Sequence, residues 1–337
     1  MYKSFEIKNF KCFEHLKLEN LARVNLIAGK NGVGKSALLE ALYLHCDGHN
    51  PEILLTFIKP RRRPVDLWQQ GISMTSLCRG FFRGFDTNQA IQMTGTNLGA
   101  STRTIELRLV DHPKHGASDR LALRLSGGGS GPFFVSLYGQ SFRCDPEPPG
   151  HAVLAYFGGG ISPIDPRTDS VRFSELTKAG HEQRILRTLR IVEPGLKGLE
   201  LLVDEGALLL HGRVGLPQPV PLPEMGDGIR RLGSLVLELG VCGNGVLLVD
   251  EVENGLHYSV LEDVWRVIAE AARQFNVQVF ATTHSRECVG AATEAFKESK
   301  SDELAFYRLV NIDGKIENTR YESETLADAI ETGWEVR

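Results

Sequence analysis

The chain has 337 residues, of which 42% are hydrophobic, and a formal net charge of −4 at pH 7. This length allows two or three domain-sized units, or one α/β domain that carries an insertion. The weak negative charge excludes a protein that is drawn as a whole to nucleic acid, so such a contact would need a local basic patch.

Cysteine usage and hydropathy indicate the cellular compartment in which we expect the protein. The six cysteines are scattered and form no Cys-x-x-Cys pair, so neither a zinc site nor a disulfide framework is indicated. No secretory segment opens the chain, and it has no apolar run of about 18 residues. We therefore expect a cytoplasmic protein without a membrane span, kept in a reducing compartment.

The first 28 residues predict strands. Apolar and polar residues alternate over Phe5–Phe10 and Leu16–Glu19, which is typical of half-buried strands. The following run, Val24–Ala28, is short and mostly apolar, which predicts a buried strand.

A glycine-rich loop follows that strand and fits the pattern G-x-x-x-x-G-K-[ST] of the phosphate loop of nucleoside triphosphatases. Good helix formers come next, so strand, loop and helix stand in the order that phosphate binding requires. We expect Lys35 to reach the β- and γ-phosphates of ATP and the Ser36 hydroxyl to bind Mg²⁺. The residues predicted to bind the nucleotide here are Gly29, Lys30, Asn31, Gly32, Val33, Gly34, Lys35, Ser36 and Ala37.

Residues 51–150 predict a β-rich subdomain inserted in, or laid over, the nucleotide-binding lobe. Short strand-like runs alternate with loops rich in Gly, Pro, Asp and His, which indicates antiparallel strands. A basic run flanked by prolines precedes them and consists of Arg61, Arg62 and Arg63. It is either a solvated surface turn or a contact to nucleic-acid phosphates. The triplet Gly158–Gly160 is interpreted as a flexible turn.

The second half of the chain turns to an α/β pattern. A helix is predicted over Phe173–Ile191, followed by a hairpin. Helices over Ile229–Leu239 and Ser259–Phe275 alternate with buried strands over 245–249 and 277–281, which implies a parallel sheet with crossover connections. A hairpin around Asp313-Gly314 and a short helix from Ser323 end the pattern.

Three further features carry candidate chemistry. The strand over 245–249 ends in Asp250 and Glu251, at the sheet edge where α/β proteins place their ligands. Asp250 would hold Mg²⁺, and Glu251 would polarise the water that attacks the γ-phosphate. His284 follows the next strand and is either a structural histidine or a sensor of the γ-phosphate. The turn Gly226-Asp227-Gly228 is either a plain helix start or an anion site.

Taken in order, these motifs resemble the ATP-binding-cassette ATPases, in particular the SMC/RecF/OLD-type branch. The opening stretch 5–13, the acidic motif with its loop 250–257 and the stretch Thr282–Ser285 are similar to the corresponding parts of that branch. The match is best to compact AAA-family ATPases found in prokaryotic anti-phage defence, which lack a coiled coil and a Toprim domain. The resemblance implies a P-loop NTPase of α/β class, with an ABC-ATPase-type head, a mixed sheet and an inserted antiparallel β subdomain.

The resemblance also implies a mechanism. Two subunits would enclose two ATP molecules as a homodimer or a higher even oligomer, each nucleotide bound by one phosphate loop and the partner's signature turn. The family's signature turn aligns with Gly226, Asp227 and Gly228 of this chain. The resemblance also implies that Lys35, Glu251 and His284 are the catalytic residues. Gly226 stands where the family has serine, and Asp227 stands where it has glycine. The glutamine of the family's glutamine loop has three candidates of equal merit, Gln69, Gln70 and Gln89.

The resemblance leaves two readings of the biological role open. The first is an ATP-driven switch that controls a separately encoded effector, a nuclease or a toxin. About fifty residues follow His284, too few for a fused Toprim domain. The second is a DNA-repair or DNA-end-binding ATPase, which the Arg61–Arg63 run favours. A transporter ATPase subunit fits the signature turn and the N-terminal strands least well.

The motifs also predict the layout of one composite ATPase domain. Its parts would be residues 1–50 with the phosphate loop, residues 51–170 as the β-rich insertion, and residues 171–337 as the lobe that holds the signature turn, the acidic motif, His284 and the closing hairpin.

Overall fold

The computed structural model describes residues 1–47, 74–111, 121–127, 130–138, 141–145, 155–159, 166–204, 206–297, 303–322 and 326. The chain divides into two compact units. The first comprises Met1–Leu21, Lys30–Leu154 and Leu309–Thr319, and the second comprises Ala22–Gly29, Ala155–Arg308 and Arg320–Arg337. Within the described ranges, no helix combines the length and apolar character that a bilayer crossing needs.

Some of the sequence predictions fall outside these ranges. The basic run Arg61–Arg63, the glutamine candidates Gln69 and Gln70, and all but one residue of the helix expected from Ser323 lie outside the described residues. They stay predictions.

An antiparallel sheet of seven strands, in the order β2-β1-β4-β5-β6-β7-β8, forms the first unit. The strands are β1 Tyr2–Phe10, β2 Phe13–Glu19, β4 Ile91–Asn97, β5 Thr102–Asp111, β6 Leu121–Gly127, β7 Ser130–Tyr138 and β8 Ser141–Asp145. The predicted alternation buries Phe5 and Ile7 of β1 and shifts at Asn9, whose φ of 57° is left-handed. The N-terminal strands β1 and β2 therefore lie in the same antiparallel sheet as the strands of the predicted β-rich region.

The helix that follows the phosphate loop, α1 Lys35–Asp47, is fixed to this sheet. Leu38 and Leu42 are fully buried on its apolar side. Near its end, Nδ1 of His45 lies 2.7 Å from the Tyr2 hydroxyl, and Nε2 lies 2.9 Å from the Arg103 carbonyl oxygen. The described part of this unit also holds a short helix, α2 Met74–Cys78.

A parallel sheet forms the centre of the second unit, with the neighbouring strands β15, β3, β14, β13 and β9. Their bounds are β3 Val24–Ala28, β9 Ala155–Gly159, β13 Val246–Asp250, β14 Gln278–Thr283 and β15 Leu304–Ile312. β15 continues into the predicted hairpin with β16 Lys315–Tyr321. All residues of β3, β13 and β14 are buried, as the apolar runs predict. A small sheet of β10 Gly198–Asp204, β11 Ala207–Arg213 and β12 Val220–Pro221 contains the other predicted hairpin.

Helices pack on the second unit's sheet and close its core. They are α3 Pro166–Lys178, α4 Glu182–Leu189, α5 Asp227–Val241, α6 Leu261–Gln274 and α7 Arg286–Ala295. Trp265 of α6 is fully buried in that core. Burying such a side chain stabilises the unit by about 2–3 kcal/mol. The core thereby holds the carboxyl ends of β13 and β14 at one fixed edge.

Two predictions about this unit are wrong. The single helix over Phe173–Ile191 is instead the pair α3 and α4, because Gly180 adopts a left-handed φ of 77° that ends the first helix. The triplet Gly158–Gly160 is not wholly a turn, because Gly158 and Gly159 belong to β9 and pair with Val249 and Asp250.

Candidate active site

The phosphate loop joins β3 to α1. Lys35 is only 7% exposed, and its Nζ donates a hydrogen bond of 3.1 Å to the Lys30 carbonyl oxygen. Along the described chain, the N–H groups of Gly32, Val33 and Gly34 donate to no backbone carbonyl. The loop therefore combines open N–H groups with a buried ammonium group, a donor set that suits phosphate oxygens.

Gly34 is fixed by its backbone and by its neighbours. Its φ is 94°, and a Cβ placed there would lie 2.5 Å from Cys12 Sγ and 2.9 Å from Phe13 Cζ. Only glycine fits this position, and the loop is thereby packed against the turn between β1 and β2. Burial raises the pKa of the Cys12 thiol, so this contact is a neutral one.

A cavity of about 620 Å³ opens beside the loop in the first unit, with Gly32 in its wall. Arg83 lines it and contacts Glu14 at 3.3 Å. The remaining glutamine-loop candidate, Gln89, lines it too, and its amide donates to Asp86 at 3.0 Å. The cavity has the volume of a small-molecule site and a mainly polar lining.

In the second unit, acidic and hydroxyl side chains meet where β13 and β14 end. We call this set the acid edge: Asp250, Glu251, Glu253, Thr282, Thr283 and His284. The parallel register pairs Val249 with Ala281, so Asp250 lies beside Thr282. The Thr282 hydroxyl donates to Asp250 Oδ1 at 2.5 Å and accepts the Glu251 N–H at 2.9 Å. One threonine therefore orients both predicted acids.

Glu251 has an unusual backbone. Its φ of 49° is left-handed, a conformation that costs a residue with a side chain about 1–2 kcal/mol. The Thr282 hydroxyl offsets this cost by accepting its N–H. The Glu251 carboxylate is 43% exposed, and Oε1 lies 3.6 Å from His284 Nδ1. The strain aims a carboxylate away from the strand and next to the histidine, which is the kind of position that functional groups occupy.

Glu253 anchors the other side of the acid edge. Its Oε1 accepts the Thr283 hydroxyl at 2.7 Å and the His284 N–H at 2.9 Å. The same oxygen lies 3.3 Å from His284 Nδ1. His284 is therefore held through its backbone and faces two carboxylates.

The strand before the phosphate loop ends at this same edge. In the register of β3 and β14, Ala28 pairs with Thr283, and Gly29 follows directly. The chain thus enters the phosphate loop beside the residue that precedes His284.

The turn at Gly226–Gly228 is open. Gly226 has a φ of 101° and precedes α5 without a side-chain cap. Asp227 is 82% exposed and binds only Arg230, at 2.9 Å, among the described residues. Among the residues that the structure describes, none would lie within 4 Å of a Cβ at Gly228. The free N–H groups of the helix start therefore face open space.

Comparison with known families and proteins agrees with this geometry. Residues 166–289 match the family described as "AAA domain, putative AbiEii toxin, Type IV TA system", and residues 1–70 match the family "AAA ATPase domain". An ATP/GTP phosphatase of Helicobacter pylori (strain ATCC 700392 / 26695) is 23% identical over 343 residues, covering 88% of this chain and 89% of the relative.

Solved structures show the fold. The SMC head domain from Thermotoga maritima has a TM-score of 0.50 at 14% identity and covers 95% of this chain and 99% of its own. An Smc head bound to the C-winged helix domain of ScpA has a TM-score of 0.54 at 12% identity, covering 97% of this chain and 99% of its own. The chain has the fold of an SMC head and is an ATPase.

This result confirms the predicted fold class, a P-loop NTPase of α/β class with a mixed sheet and antiparallel β structure. The predicted roles of the site residues in this ATPase stay predictions. The structure brings Asp250, Glu251 and His284 together within the second unit. Lys35 and Ser36 lie in the first unit, at the start of α1.

Two residues of the acid edge of this ATPase were missed by sequence reasoning. Thr282 and Glu253 orient the predicted groups, and although they lie in the stretches 282–285 and 250–257, the sequence assigned neither of them a role. The sequence signal for Glu253 was the acidic stretch Asp250-Glu251-Val252-Glu253, in which a third acid stands two residues after Glu251. Only the register of β13 against β14 reveals that these acids meet hydroxyl groups.

Proposed function

We propose that this ATPase is a switch that closes as a homodimer around ATP and opens on hydrolysis. The observation that carries the proposal is the acid edge, where an outward-facing carboxylate, Glu251, lies 3.6 Å from His284 at the edge where the chain enters the phosphate loop. Such a pair is suited to polarise a water and to contact a γ-phosphate.

In this mechanism the phosphate loop binds the triphosphate. The N–H groups of Gly32 to Gly34 and the Lys35 ammonium neutralise the phosphate charge. Gly29, Lys30, Asn31 and Ala37 complete the loop's contact. The Glu251 carboxylate accepts a proton from the attacking water, and His284 donates to the γ-phosphate.

Mg²⁺ fits the donors that the chain offers. Within the described residues, no cluster of three acidic, histidine or cysteine side chains could hold a metal by itself. Nucleotide-bound Mg²⁺ does not need such a cluster, because it is held by one or two protein oxygens together with phosphates and waters. The Asp250 carboxylate and the Ser36 hydroxyl are the oxygens that we assign to it. When bound, Mg²⁺ would neutralise the charge that develops on the phosphates.

Dimerisation is supported by the open turn at Gly226–Gly228. Its helix start offers unpaired N–H groups to an anion, and Asp227 is held against Arg230 of the same helix. We propose that this turn contacts the triphosphate bound by the partner subunit. Gly228 and the helix start then replace the hydroxyl contact that the serine of related signature turns provides.

We propose further that the switch controls a separately encoded effector, a nuclease or a toxin, in anti-phage defence. Support comes from the family matched over residues 166–289, whose description names a toxin. A related fold, the Smc head, was solved with a domain of another protein bound to it. The effector reading therefore rests on relatives, and co-purification with the neighbouring gene product tests it.

The first prediction is that Glu251→Gln traps the ATP state. Removing the base should lower kcat by about a hundredfold or more, while ATP still binds and dimers accumulate. Phosphate release, nucleotide binding and light scattering with ATP measure the three properties. Glu294→Gln, at an exposed acid of α7, is the control and should match the wild type. An unchanged kcat in Glu251→Gln would overturn the assignment of the base.

A second candidate function is a DNA-end-binding ATPase, favoured by the sequence run Arg61–Arg63. ATP-dependent retention of DNA by the protein alone, lost when these three arginines are neutralised, would support this reading against the switch.

A further inference from the structure

Glu253 is a buried acid that the mechanism above does not use. Its side chain is only 10% exposed. Oε1 is fully engaged by Thr283 and by the His284 backbone. Oε2 is buried and has no hydrogen-bond partner among the described residues. A buried carboxylate oxygen without a donor costs about 1–3 kcal/mol, so its retention calls for a role.

A compensating charge for Glu253 comes from helix α5, which begins at the signature turn. The Arg231 guanidinium fills the place of a side chain at Gly255, with a nitrogen 2.9 Å from the Cβ position there. Burial lowers the pKa of Arg231, and the charge of Glu253 works against that shift. Glu253 therefore stands between His284 and a helix that starts at Gly226.

The histidine ring has two carboxylates within reach of one nitrogen. His284 Nδ1 lies 3.3 Å from Glu253 Oε1 and 3.6 Å from Glu251 Oε1. A single N–H bonds well to one acceptor at a time. When Nδ1 donates to Glu253, Glu251 stays free for water and Nε2 is left for substrate.

We propose that Glu253 is a positioning residue that holds the His284 ring away from Glu251. Arg231 of helix α5 in turn holds the Glu253 carboxylate in place. This links the two predicted contact groups of one subunit, the histidine and the signature turn. The inference rests on the proposed roles of Glu251 and His284.

The decisive variant is Glu253→Gln, which keeps an oxygen for Thr283 and for the His284 N–H but removes the charge. The His284 ring should then turn to Glu251 and block it. We expect kcat to fall about tenfold, with KM for ATP changed less than about twofold. Arg231→Ala should give a smaller loss of about threefold, and Arg231→Lys should restore most of it.

Two controls separate positioning from a general loss of structure. Glu238→Gln removes a comparably buried acid of α5, paired with Arg172 at 3.3 Å, and should leave kcat unchanged. In a His284→Ala background, Glu253→Gln should cause no further loss, because both changes act through one ring.

The experiment measures kcat and KM for these full-length variants beside Glu251→Gln. A wild-type kcat in Glu253→Gln, a loss that adds to that of His284→Ala, or a loss confined to KM would overturn the inference. If Glu253→Gln does not fold, the Arg231→Ala variant tests the inference instead. The loss of kcat that Arg231→Ala causes must then disappear in the His284→Ala background. An unchanged kcat in Glu251→Gln would instead refute the proposed function itself.

Discussion

The acid edge and the signature turn lie in the same unit and differ in how far the chain organises them. At the acid edge, Thr282 binds Asp250 and Glu251, and Glu253 binds Thr283 and the His284 backbone. At the signature turn, Gly226 has no side chain that could cap the start of α5, and Asp227 forms an exposed ion pair with Arg230. The first region is preorganised by its own subunit, and the second is left open.

This difference has a functional meaning. Groups that act on a reacting bond need fixed positions, which hydrogen bonds from neighbouring strands supply. A group that is completed by another molecule needs accessible donors instead. The contrast therefore supports a site whose chemistry lies in one subunit and whose closing contact comes from a second.

The larger of the two effects expected from this comparison tests the preorganised region. Thr282→Val removes the hydroxyl that binds both Asp250 Oδ1 and the Glu251 N–H, so both groups lose this hydrogen bond. We expect kcat to fall by about tenfold to a hundredfold and the free energy of unfolding to fall by about 1–3 kcal/mol. Steady-state kinetics and urea denaturation measure the two.

Thr293→Val is the matched control for that variant. In the described part of the chain, the Thr293 hydroxyl bonds only to the Val289 carbonyl oxygen within α7, at 3.0 Å. Its loss should change neither kcat nor stability by more than a small amount. If Thr282→Val behaves like this control, the acid edge is not held by Thr282.

A smaller effect is expected at the open region. Asp227→Asn keeps the shape of the signature turn and removes the charge that would repel a triphosphate. We expect the ATP-dependent dimer to tighten about threefold to tenfold in the Glu251→Gln background. The free energy of unfolding should fall by less than about 1 kcal/mol, because only an exposed ion pair and a helix-terminal charge are lost. A weaker dimer would show that Asp227 contributes to closure.

Local patterns predicted the elements that form around short-range signals. The alternation in β1, the buried runs β3, β13 and β14, and the phosphate loop all depend on residues close in sequence. The break at Gly180 was also local, a glycine at a helix end, and was missed because apolar spacing continued across it. In contrast, β9 could not be predicted, because Gly158 and Gly159 form a strand only by pairing with Val249 and Asp250.

At the candidate site, too, residues with short-range sequence signals could be singled out, whereas residues that depend on distant contacts could not. Lys35, Asp250, Glu251 and His284 stand at recognisable offsets from strands and loops. Thr282 and Glu253 gain their meaning from contacts across about thirty residues, between Asp250 and Thr282 or Glu253 and Thr283. The left-handed φ of Glu251 had no sequence signal, since such a conformation ordinarily favours glycine or asparagine.

Subunit mixing tests the central claim most directly. Glu251→Gln disables the base and keeps the signature turn, whereas Gly228→Glu fills the open turn with a charge that repels phosphate and keeps the base. In an equal mixture, about half of the dimers contain one of each, and one of their two sites is intact. We predict that each variant alone is inactive and that the mixture recovers about a quarter of wild-type ATPase activity. A mixture no more active than the sum of its parts would contradict a site shared between two subunits.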